Sequence, residues 1–128
     1  MSSTTYDSKK NVIYFGVQEM EAEAYSISIS AYDMQNNKVE FLQRVNQSKV
    51  ILERIFQSPN GKYLALNLFS EESGNPFVYV IDLEQQHSYQ INNAYVQYWN
   101  GDKLMIDAAQ DEYRTLQPNE IQDLKPIE

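Results

Sequence analysis

Hydrophobic and polar positions alternate along much of this chain with the period of a β-strand. In YLALNLF, Leu64, Leu66 and Leu68 fall on one side, and Tyr63, Ala65, Asn67 and Phe69 on the other. In SISISAY, Ile27, Ile29 and Ala31 oppose Ser26, Ser28 and Ser30, so this strand is expected to keep one wet face. FVYVIDL is apolar on both sides up to Asp82 and is expected to lie between layers. The best helical pattern is SKVILERIF, residues 48–56, with a Ser at a cap position and then Glu53. It is short and rich in β-branched residues, and an edge strand accounts for it equally.

Polar turns separate these runs, and they recur in order. SKKNVIYFGV (8–17), SPNGKYLALNL (58–68) and WNGDKLMIDA (99–108) each join a Lys-bearing turn to a short strand. Aligning Ile13, Leu64 and Leu104 gives spacings of about 51 and 40 residues, near the length of a four-stranded propeller blade. Each first strand is followed by a polar, partly acidic loop: QEMEAEA, SEESGNP, then AQDE. A second strand (YSISISAYDM, FVYVIDLE, YRTLQ), a turn (QNNK, QQHS, PNE) and a third strand (VEFLQRV, SYQI, IQDL) come next. Asn in QNNK tolerates the positive φ that a tight hairpin needs. The tail QPNEIQDLKPIE reads as a short last strand and a loose end. The expectation is one all-β domain over residues 1–128, with antiparallel hairpin repeats at about 8–47, 57–92 and 98–124. Too few repeats are present to close a ring of four to eight blades. An open two-layer sandwich is favoured over a fragment of a longer propeller and over completion by assembly.

The middle repeat resembles a known family. FQSPNGKYLAL is similar to the repeat opening of TolB-type and prolyl-oligopeptidase-type β-propellers, F-S-P-D-G-K-x-[ILV]-[AV]-[FV]. Phe56, Ser58, Pro59, Gly61, Lys62 and Leu64 match in register, and Asn60 stands in the usual Asp place. VYVIDLEQQHSYQI resembles the strand and turn that follow, through Tyr79, Val80, Ile81, Asp82 and Leu83. YVQYWNGDKLMI, with Trp99 as its aromatic, resembles the next repeat start but lacks Ser-Pro, and DSKKNVIYFG is a degenerate first copy. The resemblance spans most of residues 7–116. It implies that Ser58, Pro59, Asn60, Gly61 and Lys62 set backbone shape, and it carries no catalytic residue. It also implies a propeller that binds proteins or peptides, or that shields the active site of another domain.

Charge and composition narrow the partners. The chain has 128 residues, no Cys and a formal net charge of −8. That field repels phosphate backbones and anionic membrane surfaces, so neither nucleic acid nor membrane is an expected partner. No apolar run is long enough to span a bilayer, and MSSTTYDSKK is not a signal peptide. An extracytoplasmic place, with a signal removed, is slightly favoured over a cytoplasmic one. His87, the one histidine, falls in the turn EQQHSY with no nucleophile elbow in the chain, which points to an exposed turn residue. Glu19, Glu21 and Glu23 alternate along EMEAEA, and Asp107, Asp111 and Glu112 flank a hairpin loop. Both sets read as solvation or edge protection rather than calcium ligands. No cofactor motif and no metal site is expected. In AYVQYWN, Tyr95 and Trp99 are expected to face the core while Tyr98 points outward. Tyr95, Tyr98 and Trp99 are the candidate binding residues, because Tyr and Trp bury area while keeping a polar handle. The leading expectation is a non-enzymatic interaction module that pairs with a protein partner, or with itself, through exposed strand edges. The alternatives are an auxiliary propeller-type domain of a hydrolase, and an extracytoplasmic sugar- or peptide-binding domain with Tyr98 and Trp99 as its platform.

Overall fold

The computed structural model describes residues 4–21, 24–45, 47–101, 103–108 and 112–116. They form eleven strands in three antiparallel sheets, and no helix occurs among the described residues. Blade 1 is β1 (Thr4–Asp7), β2 (Val12–Glu21), β3 (Ala24–Asp33) and β4 (Lys38–Arg44), in that order. Blade 2 is β5 (Val50–Gln57), β6 (Tyr63–Ser70), β7 (Asn75–Asp82) and β8 (His87–Asn92). Blade 3 is β9 (Ala94–Asn100), β10 (Lys103–Ala108) and β11 (Glu112–Leu116). Every strand pairs only with its neighbours in sequence, so each blade is a meander.

The blades stack face to face, with blade 2 in the middle. One buried cluster joins Tyr14, Ile27, Ile29 and Ala31 of blade 1 to Leu64, Leu66, Leu68, Tyr79 and Ile81 of blade 2. A second joins Tyr63, Ala65, Val78, Val80 and Tyr89 of blade 2 to Val96, Leu104 and Ile106 of blade 3. The alternation in YLALNLF therefore feeds two cores, one from each face, and FVYVIDL lies between layers as expected. β1 lies against β5, and β5 against β9, so the stack draws together at its first-strand edge. This is three successive propeller blades, not a two-layer sandwich. Both faces of β6 and β7 are apolar, and two layers would leave one of them in water.

Of the two readings of residues 48–56 the edge strand holds and the helix does not: β5 is the first strand of its sheet, with Val50, Leu52 and Ile55 turned inward between exposed positions. Two further expectations are corrected. Each sheet begins one strand before its turn, so the blades run from Thr4, Val50 and Ala94, not from 8, 57 and 98. QEMEAEA is not a loop at its start, since β2 continues to Glu21 and β3 begins at Ala24. Glu23, Asp111 and the tail from 117, including IQDL, lie outside the described residues.

The turns share one construction. Asp7 Oδ1 accepts from the backbone N–H groups of Lys9 (3.0 Å) and Lys10 (3.1 Å). Asp33 Oδ1 accepts in the same way from Gln35 and Asn36, and Asp82 Oδ1 from Glu84 and Gln85. Four residues after each Asp the chain enters the left-handed region, at Asn11 (φ 58°), Asn37 (φ 55°) and Gln86 (φ 59°). The carboxylate collects the N–H groups that the tight turn frees, an Asx-type solution. Asn36 hydrogen bonds, from its side chain first and then its backbone, hold the Asp33 carboxyl below its ordinary range. In the Ser58–Lys62 turn, Ser58 Oγ donates to Asn60 Oδ1 (2.7 Å) and accepts from Tyr63 N–H (3.0 Å). Gly61 supplies the positive φ, 74°.

Candidate functional site

The contacts between blades show what a covered face looks like. At the first interface Gly16 lets β2 approach β5: a Cβ there would stand 2.3 Å from Leu52 Cδ2. Gln57 Nε2 donates to Asp7 Oδ2 (2.6 Å), and Lys10 Nζ donates to the Gly61 carbonyl (2.8 Å). At the second interface Val96 N–H donates to Asn67 Oδ1 (2.6 Å), and Asn67 Nδ2 donates to the Val96 carbonyl (3.1 Å). Trp99 stacks on Tyr63 with ring centroids 5.9 Å apart, and its Nε1 donates to the Phe56 carbonyl (3.1 Å).

Partners in an antiparallel register share a face, so the pairings place every side chain. Thr4, Tyr6, Ile13, Phe15, Val17, Tyr32, Val39 and Phe41 fall on the face of blade 1 that is turned away from blade 2. No layer among the described residues covers it. Phe41 is 61% exposed, Val39 65% and Tyr6 53%, while Ile13, Phe15 and Tyr32 are half-buried. The opposite end of the stack is the outer face of blade 3. There Tyr95 pairs with Asp107 and Tyr98 with Met105. Tyr95 is 42% exposed and Tyr98 53%.

This placement corrects the reading of AYVQYWN. The register jumps between Met105 and Ile106, leaving Gln97 as an extra residue in β9. A bulge reverses the alternation beyond it. Ala94, Val96 and Trp99 therefore face blade 2, and Tyr95 and Tyr98 both face out. Tyr98 and Trp99 lie on opposite sides of the sheet and form no common platform. Sequence reasoning also missed Tyr6, Phe15, Val39 and Phe41, although the strand VEFLQRV was recognised.

The remaining candidates are dispersed. His87 is exposed at the start of β8, opposite Asp82. No group of three or more His, Asp or Glu that could hold a metal occurs among the described residues. A groove of about 730 Å³ between β3–β4 and the Leu83–Gln86 turn is lined by Tyr14, Asp33, Lys38, Glu40 and Lys10. Burial, then Asp7 and Glu40, push the Tyr14 hydroxyl above its ordinary pKa. No helix of the described residues is long and apolar enough to cross a membrane.

No protein-family model matches the chain, and no curated protein sequence matches it. Among solved structures it is similar to the β-propeller domain of the Trilobed protease from Pyrococcus furiosus, described as having an open velcro topology. The TM-score is 0.63 at 19% identity, covering 99% of this chain and 41% of that one. The chain thus spans less than half the length of the propeller it resembles, and the likeness is one of fold.

Proposed function

We propose that this chain is a non-enzymatic protein-interaction module, a run of TolB-like propeller blades whose end faces are its binding surfaces. One observation carries the reading: both ends of the stack present aromatic and aliphatic side chains where the two internal interfaces bury theirs. Phe41, Val39 and Tyr6 at one end, and Tyr95 and Tyr98 at the other, are large and rigid enough to anchor a contact. The edge strands β4 and β8 offer backbone pairing as well. The test is a photo-reactive residue placed at 41 or 98 in the native cells, with position 34 as an exposed turn control. Discrete protein adducts are expected from 41 and 98 and none from 34. An absence of adducts from both end faces refutes the reading.

A second reading, an auxiliary domain of a hydrolase, is favoured by the likeness to the propeller of a protease. In that case the adduct from 41 or 98 contains a hydrolase.

A further inference from the structure

The two internal interfaces define one stacking step, and that step has a direction. Ile13, Leu64 and Leu104 hold equivalent places in the three blades, each on the second strand after the first turn. Leu64, Leu66 and Leu68 face the preceding blade, and so do Leu104 and Ile106. Ile13, Phe15 and Val17 form the same leading face in blade 1, and no described residue packs a further layer on it. The trailing faces are equally matched: Val12, Tyr14 and Gly16 in blade 1, Tyr63, Ala65 and Asn67 in blade 2, and Lys103, Met105 and Asp107 in blade 3. Among the described residues, one leading face and one trailing face are left uncovered. Nine large hydrophobics are exposed among the described residues. Six of them (Tyr6, Val17, Val39, Phe41, Tyr95 and Tyr98) lie on these two faces.

We infer that a second copy of this chain covers them, with the trailing face of blade 3 in each copy packed on the leading face of blade 1 in the other. This rests on the reading of the end faces as interaction surfaces and names the partner. The contact continues the stacking that already joins blades 1, 2 and 3, with Lys103 and Asp107 at its edge beside Tyr95, Tyr98 and Met105. Two copies give six blades, within the range that closes a propeller. The two contacts are related by a two-fold axis, so the assembly is finite.

The test is the mass in solution by light scattering and sedimentation, across concentration. The expected mass is twice the 14.9 kDa of one chain. Phe41→Asp on the leading face and Tyr98→Asp on the trailing face should each raise the dissociation constant at least ~100-fold, the effect of a charge at the centre of a desolvated contact. Retained far-ultraviolet dichroism and Trp99 emission confirm that each variant folds. Mixing the two variants should restore part of the dimer, because one of the two contacts is then wild type on both sides. A folded monomer at the highest attainable concentration overturns the inference. So does a dimer insensitive to Tyr98→Asp, which would mean two leading faces packed together, or an open polymer, in which the step does not close. Adducts from 41 and 98 to a different protein, with the chain itself monomeric, sink this inference and leave the interaction module standing.

Discussion

Asn67 holds blade 3 to blade 2 by an unusual means, and replacing it tests the stacking argument. β9 is an edge strand, and the N–H and C=O of Val96 both turn to the Asn67 side chain, at 2.6 and 3.1 Å. One amide supplies the donor and the acceptor that a neighbouring strand would supply. Asn67→Leu keeps the volume and removes both. A buried donor and acceptor left without partners cost ~1–3 kcal/mol each, and the added apolar contact returns ~1 kcal/mol. The net loss is about 1–5 kcal/mol. Asn67→Asp keeps the acceptor for Val96 N–H but sets a carboxylate against the Val96 carbonyl. At neutral pH it should be at least as damaging. That carboxyl has a folded pKa raised above its unfolded value, so its neutral form is the one that fits. Relative to Asn67→Leu, the Asp variant should therefore recover as pH falls below the folded pKa. Urea unfolding at one protein concentration supplies the assay. Trp99, the single Trp, reports the interface of blades 2 and 3, and far-ultraviolet dichroism reports all three sheets. Asn67→Leu should move the Trp99 transition to lower urea, with faster amide exchange at Val96. A Leu variant within ~0.5 kcal/mol of wild type, the scatter of ordinary surface changes, and with Val96 protection intact, refutes the reasoning.

Two further changes probe the other interface. Gly16→Val places a branched Cβ against Leu52 and should cost ~1–3 kcal/mol by overpacking; in a double-mutant cycle Leu52→Ala should relieve part of that loss, and additivity would show that the two side chains do not meet. Tyr14 has a folded pKa raised above 10.0, chiefly by burial, so its contribution is complete below pH 10 and is lost as pH rises through the folded value; chemical unfolding should show Tyr14→Phe retaining stability in alkali that wild type loses, and parallel alkaline curves would count against the burial of that hydroxyl.

The strands and their order were legible because each fold-setting signal is local. A run such as YLALNLF carries its period in seven residues, and SPNGK carries its turn in five. Alignment on Ile13, Leu64 and Leu104 found the repeat because those residues hold one structural place. The layer count was not legible in the same way. Leu64 and Tyr63 alternate whether one layer or two cover them, and only the apolar content of both faces of β6 and β7 distinguishes the cases. The first strand of each blade fell before or between the expected repeats, because the turn, and not the strand, carries the recognisable residues. The Asp-x-x-x-Asn/Gln spacing of Asp7, Asp33 and Asp82 was present in the sequence, and it marks three hairpins more faithfully than Gly or Pro does here.

The end faces escaped the sequence for a physical reason. Period-two alternation divides a strand into two sides but carries no information about what lies opposite either side. Phe15 and Leu66 have the same place in their blades and the same apolar character, yet Leu66 is sealed and Phe15 is half open. The difference comes from blade order alone: Leu66 has a blade before it. A bulge adds a second blind spot, since Gln97 reverses the sides of everything after it and sends Tyr98 outward beside Tyr95. A repeat that buries itself on the next copy of itself must leave one leading and one trailing face at its ends. The leading face of blade 1 matches the covered leading faces in position and apolar character, whereas the trailing face of blade 3 matches in position and adds Lys103 and Asp107. On the proposed reading, recognition needs no specialised site, because the same kind of surface that holds the blades together is the one offered to a partner.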